Sequence, residues 1–368
     1  MHATRTTRRW RLSFLFVAAL LVVLALSAGI AQATPAAGAV YTLSNAPTNQ
    51  VLVFNRAWDG TLSPAGAFAT GGMGGALGGP QGAIALSADN RWLFAVNAGS
   101  NDVTVFAGKP WGVGWVDKEP SGGTTPGSLT VHGDLLYVLN AGGAGNIAGF
   151  VQSRSGKLHA IPGSMRPLSG SGTGPSEVAF NPAGNVLVVT ERNTNLIDVY
   201  KVDWSGRASA PTTHASNGAV PYGFAFSPRG TLVISEAAVN ALSSYAVNPW
   251  KFQLISGSVS NGNTGNAPCW VAITENGKYA YTSDAHSGII SSYTIGKDGK
   301  LTLLAATAAG PVGVPLLDLA FSTDSRFLYG LDIGNGSIDA FRVNWDGSLT
   351  AIAGASGVPS SASGLAAR

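Results

Sequence analysis

The chain has 368 residues, of which 45% are hydrophobic and only 11% are charged, and it contains 49 glycines. Soluble domains carry on average about 25% charged residues, and disordered chains are poorer in apolar residues than this one, so the composition excludes disorder. The formal net charge of +3 includes four arginines near the N-terminus, and residues 34–368 hold 18 basic against 19 acidic side chains. That nearly neutral balance gives no reason to expect a nucleic-acid partner.

The first 33 residues differ from the rest of the chain. Four arginines between Arg5 and Arg11 precede an apolar run from Phe14 to Ile30, and small residues then lead to Ala33. This order predicts a secretory signal peptide that is cleaved after that alanine, which leaves a secreted domain without a membrane span. The alternative is an uncleaved membrane anchor, because the apolar run is nearly long enough to cross a bilayer.

The mature chain repeats with a period of 44 to 49 residues. Each period opens with a proline and an apolar segment, followed by a tight turn, a second and a third apolar segment, and a hairpin leading to a fourth. Four short strands in such a period predict one blade of a β-propeller. The prolines that open the innermost strands are Pro80, Pro126, Pro175, Pro221, Pro268, Pro315 and Pro359.

Aromatic residues mark two further positions of the repeat. The predicted third strand ends in Phe54, Phe106, Phe150, Tyr200, Tyr245, Tyr293 or Phe341. Tryptophans stand beside four of the hairpins between the third and fourth strands, at Trp58, Trp204, Trp250 and Trp345. We expect these indoles to form an aromatic girdle that packs the blades together, and a ligand platform is the alternative.

The two ends of the mature chain complete each other. Residues 38–68 supply three strands without an inner strand before them, and residues 359–368 supply an inner strand without a blade after it. Together they predict one blade closed by both termini. The expected fold class is therefore all-β, a seven-bladed β-propeller of four-stranded antiparallel blades, and we expect a monomer.

One polar column recurs in every unit. The residue nine positions before the third-strand aromatic, or ten in the third unit, is always a carboxylate or a carboxamide. The second strand of a meander returns to the face where the first began, so these side chains should meet around the mouth of the channel. The column consists of Asn45, Asn97, Asn140, Glu191, Glu236, Asp284 and Asp332, and Glu177 and Asp318 begin inner strands on the same face.

Two interpretations of the column remain open. Asn and Asp commonly bond to the backbone at the start of a loop, so a repeated turn would repeat them. Glu forms such turns poorly, and clustered carboxylates in a low-dielectric mouth suit general acid and base roles or a cation. Glu191 and Glu236 are therefore the catalytic candidates, with Arg192 and Tyr222 as weaker ones that would stabilise an oxyanion. The candidates for binding substrate are Glu177, Asp284, Asp332, Asp318, Asn97, Asn140 and Trp270.

Other residues give weaker signals. His286 adjoins the column and could orient a substrate, although a solvated loop position is the alternative. The single cysteine, Cys269, cannot form a disulfide within the chain, and we expect it to be a small packing residue. No Cys and His spacing typical of a metal site and no phosphate-binding motif occur in the sequence, so we expect neither a metal nor another cofactor.

The segment from Gly174 to Val202, GPSEVAFNPAGNVLVVTERNTNLIDVYKV, resembles the seven-bladed propeller lactonase family, which includes propeller-type 6-phosphogluconolactonases and fungal carboxymuconate cyclases. The resemblance covers nearly the whole mature chain and implies the fold and a lactone hydrolase activity. The family's Asn-Glu-x-x-Asn after the second strand is matched at Glu191. Its Gly-Pro-Arg-His reads Gly-Pro-Ser-Glu here, which lacks the two cationic residues, and phosphorylated sugar lactones are not the expected substrates.

Two functions are expected from these observations. The first is hydrolysis of a neutral lactone or related ester outside the cytoplasm, with a carboxylate of the column activating water. The second is a binding module without catalysis, which would hold an extracellular polymer or protein at the mouth or rim. The sequence from Tyr137 to Asn140 also resembles surface-layer propellers.

Overall fold

The structure is a computed structural model that describes His2 and residues 36–368, except Gly78, Trp111 and Asn266. The predicted signal peptide and its cleavage site lie outside the described residues. Residues 36–368 form one compact unit. A search of the described residues finds no helix that is long and apolar enough to cross a membrane.

The described part of the chain folds into 29 strands. In chain order they are β1 (Gly38–Leu43), β2 (Gln50–Arg56), β3 (Leu62–Ala69), β4 (Ile84–Leu86), β5 (Trp92–Asn97), β6 (Asp102–Lys109), β7 (Gly112–Pro120), β8 (Pro126–His132), β9 (Leu135–Asn140), β10 (Asn146–Gln152), β11 (Leu158–Ala160), β12 (Arg166–Pro167), β13 (Pro175–Phe180), β14 (Val186–Glu191), β15 (Leu196–Lys201), β16 (Thr212–Ala215), β17 (Pro221–Phe226), β18 (Thr231–Glu236), β19 (Ala241–Asn248), β20 (Lys251–Ser260), β21 (Pro268–Ile273), β22 (Tyr279–Asp284), β23 (Ile289–Ile295), β24 (Leu301–Ala309), β25 (Leu316–Phe321), β26 (Phe327–Asp332), β27 (Ser337–Val343), β28 (Leu349–Ser356) and β29 (Ser363–Ala367).

These strands form seven antiparallel sheets, each a propeller blade. From the inside outward, blade 1 is β29-β1-β2-β3, blade 2 is β4 to β7, blade 3 is β8 to β11 with β12 also on β10, and blades 4 to 7 are β13 to β28 in groups of four. The innermost strands contact one another in a closed ring. The predicted seven-bladed propeller is confirmed, and four of the seven prolines are the first residues of β8, β13, β17 and β21.

The ring closes through both ends of the described unit. β29 pairs with β1 in antiparallel register, with Val40 opposite Ala367 and Thr42 opposite Leu365. The Thr42 hydroxyl also donates to the carbonyl oxygen of Gly364 at 2.7 Å. The predicted closure is therefore confirmed, and β1 is paired with a neighbouring strand on both sides.

Buried aromatic rings fill the space between blades. All seven third-strand aromatics lie in the third strand of a blade and are at most 4% exposed. The girdle expectation for the tryptophans is wrong. Because they occupy the tips of hairpins that project beyond the blades, they are exposed to different degrees: Trp204 by 99%, Trp345 by 90%, Trp250 by 86% and Trp58 by 71%.

The strand order gives the ring two different faces. The mouth face carries the loops between second and third strands and the connections between blades. The turn face carries the turns between first and second strands and the hairpins between third and fourth strands. Contacts confirm the turn face: Asn90 Nδ2 lies 3.4 Å from Thr323 Oγ1 of another blade, and the Tyr279 hydroxyl donates to the Trp345 carbonyl oxygen at 3.0 Å.

Candidate functional site

The polar column lies on the mouth face at the ends of second strands. Its members in blades 2 to 7 are the last residues of β5, β9, β14, β18, β22 and β26, and their side chains are fully buried. Asn45 differs, because it follows the end of β1 by two residues and is partly exposed. The column therefore lies beneath the connections between blades.

Glu236 shows how such a carboxylate is held. Its oxygens accept hydrogen bonds from the backbone N–H of Gly218 at 2.7 Å and from the Ser258 hydroxyl at 2.6 Å. The Ser243 hydroxyl also donates to it. Gly218 belongs to the connection that leads from blade 4 to blade 5, so the carboxylate fastens this connection to its own blade.

Glu191 has the same kind of environment. It accepts hydrogen bonds from the backbone N–H of Ser169 at 3.0 Å and from the Thr194 hydroxyl at 2.7 Å. Burial, and secondly the neighbouring Glu191 carboxylate, raises the pKa of Asp198. The catalytic role predicted for Glu191 and Glu236 stays a prediction, and it would require a substrate to reach carboxylates that are fully buried.

The two aspartates of the column are also bonded within the fold. Asp284 accepts from Asn261 Nδ2 at 3.2 Å, and burial raises its pKa to about 7. Asp332 accepts from the backbone N–H groups of Gly313 at 2.7 Å and Asn335 at 2.8 Å. These donors come from the preceding connection or the following loop, as expected if the column holds loops in place.

The carboxamides of the column make similar contacts. Asn97 Nδ2 donates to Asp102 at 2.6 Å and to Thr104 at 2.9 Å. Asn140 Nδ2 donates to the Ser121 carbonyl oxygen at 3.1 Å. Both side chains are fully buried, so their predicted contact with a substrate also stays a prediction.

Glycines in the connections accompany the column. A Cβ atom on Gly218 would lie 2.2 Å from Glu236 Oε2, and one on Gly313 would lie 2.1 Å from Asp332 Oδ1. The connections can approach the buried side chains this closely only because these positions lack a side chain. Sequence reasoning missed this pairing, although a glycine 17 to 25 residues before the column residue in four units is visible: Gly72, Gly123, Gly218 and Gly313.

We expect Gly218→Ala to lower the free energy of unfolding by about 1–3 kcal/mol, because the new methyl group must displace the buried Glu236 carboxylate. Urea unfolding at neutral pH measures the change. Gly170→Ala is the matched control, since a Cβ there meets nothing within 4 Å and the backbone is not left-handed. Equal stability of the two variants would contradict the fastening role of Glu236.

Two further acidic residues lie inside the channel. Glu177 Oε2 accepts from the Phe224 N–H at 2.6 Å, and burial raises the pKa of Glu177 well above its ordinary value. Asp318 Oδ2 accepts from the N–H groups of Leu365 at 3.2 Å and Gly82 at 3.4 Å, and burial raises its pKa to about 7. These carboxyls connect inner strands of different blades.

Gln81 crosses the channel between blades that are not neighbours. It precedes β4 of blade 2, and its Nε2 donates to the carbonyl oxygen of Val271 in blade 6 at 2.9 Å. Its Oε1 accepts from the N–H of the same residue at 3.1 Å. The side chain therefore crosses the channel at this level and is itself only partly buried. No pattern in the repeat predicted it, because only one blade carries the residue.

A cavity of about 620 Å³ opens at the mouth face above this level. Among the predicted site residues, Arg192, Tyr222 and Trp270 line it, together with Cys269 and His286. A cavity of similar size, about 630 Å³, lies on the turn face. We regard the mouth cavity as the candidate site, because it joins aromatic rings to a cation and an exposed imidazole.

Arg192 and Tyr222 are joined by a hydrogen bond in the wall of this cavity. Arg192 Nη1 donates to the Tyr222 hydroxyl oxygen at 3.2 Å, and the guanidinium carbon lies 4.9 Å from the tyrosine ring centroid. Arg192 Nε donates to the Gly174 carbonyl oxygen at 3.2 Å, and the tyrosine hydroxyl donates to the Gly79 carbonyl oxygen at 3.1 Å. The guanidinium plane is thus fixed at the cavity wall.

The rest of the lining is largely apolar. Trp270 packs edge-on against Tyr222 with ring centroids 5.6 Å apart, and its buried indole N–H has no hydrogen-bond partner in the described part of the chain. Burial raises the pKa of Tyr222 and of the Cys269 thiol to about 12, so both remain protonated at neutral pH. Within the described ranges, no group of three or more His, Cys, Asp or Glu could hold a metal ion.

The sequence profile of the family described as "Lactonase, 7-bladed beta-propeller" matches residues 157–257 and 240–356, which together exceed half of the chain. A search of curated proteins gives no significant match.

Solved structures of the same fold come from several bacteria. A 6-phosphogluconolactonase-like protein from Bacteroides fragilis is 18% identical, with a TM-score of 0.72 over 91% of this chain and 99% of its own. A protein from Lactobacillus plantarum is 16% identical, with a TM-score of 0.72 over 90% and 99%. The periplasmic gluconolactonase PpgL from Pseudomonas aeruginosa is 15% identical, with a TM-score of 0.69 over 89% and 98%. At these identities the likeness establishes the fold alone.

Proposed function

Because this chain belongs to the seven-bladed β-propeller lactonase family, we propose that it hydrolyses a neutral lactone at the mouth of its channel, outside the cytoplasm. The observation that carries the proposal is the Arg192–Tyr222 pair, held at 3.2 Å in the wall of an apolar cavity of about 620 Å³. The predicted signal peptide and the periplasmic location named for the Pseudomonas aeruginosa gluconolactonase support export.

Arg192 suits the role of oxyanion donor. A guanidinium carries five N–H donors and stays charged at every physiological pH, and the contacts of Nε and Nη1 orient it towards the cavity. Tyr222 acts as a positioning residue, because its hydroxyl hydrogen is used on the Gly79 carbonyl oxygen. Negative charge that develops on a carbonyl oxygen would be stabilised by the guanidinium, which is already held in place at the cavity wall.

His286 suits the role of base. It lines the same cavity and is exposed, and an imidazole nitrogen can accept a proton from water. In the proposed reaction the imidazole takes a proton from water, and the water oxygen bonds to the lactone carbonyl carbon. The bond between that carbon and the ring oxygen then breaks, and the ring oxygen receives the proton from the imidazolium. The product is the open hydroxy acid.

The charges around the cavity favour a neutral substrate. Arg192 is the one lysine or arginine among the described lining residues, and Glu191 lies directly before it in the chain. Glu236 lies under an adjoining loop, where it accepts a hydrogen bond from the Gly218 N–H. A phosphate dianion would face these acidic groups with a single guanidinium as counter-charge, whereas a neutral lactone has no such cost.

The test follows acid release from glucono-δ-lactone and from its 6-phosphate, corrected for spontaneous hydrolysis, with residues 34–368. We expect turnover of the neutral lactone, with kcat/KM lowered about 100-fold or more by Arg192→Gln and by His286→Gln. Arg166→Gln is the matched control, because Arg166 lies on β12 at the outer edge of blade 3, is not among the residues that line the cavity and should retain full activity. Melting temperatures near that of the unmodified protein establish that the variants fold.

Two results would overturn this assignment. Full activity of Arg192→Gln would remove the guanidinium from the reaction. Absence of turnover on either lactone, with saturable binding of a neutral sugar, would favour the second candidate function, a binding module. The observation that favours this second candidate is the aromatic pair of Tyr222 and Trp270, whose indole N–H is buried without a described partner.

A further inference from the structure

The turn face carries four tryptophans that the proposed activity does not use. Each stands in a hairpin between third and fourth strands, and each is at least 71% exposed. They lie on blades 7 and 1, which are neighbours, and on blades 4 and 5, which are neighbours on another side of the ring. Two pairs of large exposed indoles on one face, each pair on neighbouring blades, make this face a candidate interaction surface. The four are Trp58, Trp204, Trp250 and Trp345.

Positive charge is concentrated on the same face. Of the 22 lysines and arginines, four precede residue 36, which leaves 18 in the described unit. Fifteen of these lie at the C-terminus, in the turns of the turn face or within two residues of such a turn, and the exceptions are Lys118, Arg166 and Arg192. Only eight of the 19 acidic residues lie there. The nearly neutral chain is therefore strongly polarised between its faces.

The cations of the turn face are accessible to solvent. All but Arg56 and Arg368 are exposed. They also lie beside the tryptophans, as Lys201 shows, with its Nζ 4.1 Å from the centre of the Trp250 ring. Cationic and indole groups are thus available together at the hairpin tips.

The described unit also begins on this face. Ala37 donates its N–H to the Arg56 carbonyl oxygen at 2.8 Å, and Arg56 Nη2 donates to the Ala37 carbonyl oxygen at 3.2 Å. Arg56 ends β2 at the hairpin that carries Trp58.

We propose that the turn face binds the surface of an anionic phospholipid membrane, with the mouth of the channel directed towards water. Indole rings favour the interface between headgroups and acyl chains, and lysines and arginines near an anionic surface each add attraction. A flat lipid surface can be reached at once by tips on separated blades, whereas a linear polymer would need them aligned in one groove. The polarity of the ring therefore favours a membrane over an anionic chain.

The experiment is sedimentation of residues 36–368 with vesicles of phosphatidylcholine mixed with phosphatidylglycerol, compared with pure phosphatidylcholine. We expect binding to the mixed vesicles that weakens as NaCl is raised, and about tenfold or more weaker binding for Trp204→Ala combined with Trp250→Ala. Trp115→Ala is the matched control, because this indole is 57% exposed but lies on the outermost strand of blade 2. Quenching of tryptophan fluorescence by brominated lipid reports insertion directly.

Three results would overturn the proposal. The first is no sedimentation with the mixed vesicles. The second is equal binding of the double variant and of Trp115→Ala. The third is that the double variant binds as well as the unmodified protein, both to the mixed vesicles and to dextran sulfate. This result would show that the face binds polyanions in general and does not need its indoles. Thermal unfolding of each variant verifies that loss of binding does not reflect loss of fold.

Discussion

Removal of residues 359–368 should unfold the protein at physiological temperature. This segment contains β29, the inner strand of blade 1, and its loss breaks the ring between blades 7 and 1. Leu365 would leave a buried site, and Asp318 would lose the N–H that Leu365 donates at 3.2 Å. The expected loss is the greater part of a typical stability of about 5–15 kcal/mol.

Circular dichroism and urea unfolding of residues 36–358 and 36–368 measure this effect. Ser360→Ala is the control within the segment, because Ser360 is exposed and its loss should be neutral. Leu365→Asp should resemble the truncation, since it places a charge in the buried inner strand. A truncated protein with an unchanged urea midpoint would show that the ring holds without its closing strand.

The second large effect is on stability between about pH 4 and pH 7. Burial raises the pKa of Asp284 and Asp318 to about 7 and that of Asp339 to about 6, and it raises the pKa of Glu177 well above its ordinary value. In this range the folded protein holds protons that the unfolded chain has released. The free energy of unfolding must therefore fall as the pH rises through the range.

Urea unfolding at pH 5, 6, 7 and 8 tests this sign. Asp284→Asn should reduce the change in the free energy of unfolding between pH 5 and pH 8. It should also raise the stability at pH 8, because the neutral carboxamide replaces a carboxyl that must ionise while buried. Exposed aspartates with lowered pKa values, such as Asp59, act only near and below pH 4 and do not offset the trend. Stability that rises between pH 5 and pH 8 would contradict the raised pKa values.

Most of the fold could be predicted because the same sequence pattern recurs in successive blades. The prolines, the third-strand aromatics and the hairpin turns each locate a strand independently, so an error at one unit is corrected by the others. The tryptophans were misjudged for the opposite reason. Their apolar character suggested packing, but the side chains of Trp204 and Trp345 sit at hairpin tips and are 99% and 90% exposed.

The candidate site could be predicted only in part. The strand count placed Arg192, Tyr222 and Trp270 on the mouth face, and they line one cavity. The same count placed Glu191 and Glu236 there, but sequence cannot state whether a side chain lies above or beneath a connection. That depends on contacts with loops some 18 to 22 residues away, such as Ser169 and Gly218.

The Gln81 side chain crosses the centre of the ring. Its side chain bonds to Val271 of a blade that is not adjacent, so it narrows the route from the mouth cavity to the turn face. Reactant and product would then both use the mouth opening of the cavity. The turn face is then not needed for entry or exit, and it can contact another surface without blocking the mouth cavity.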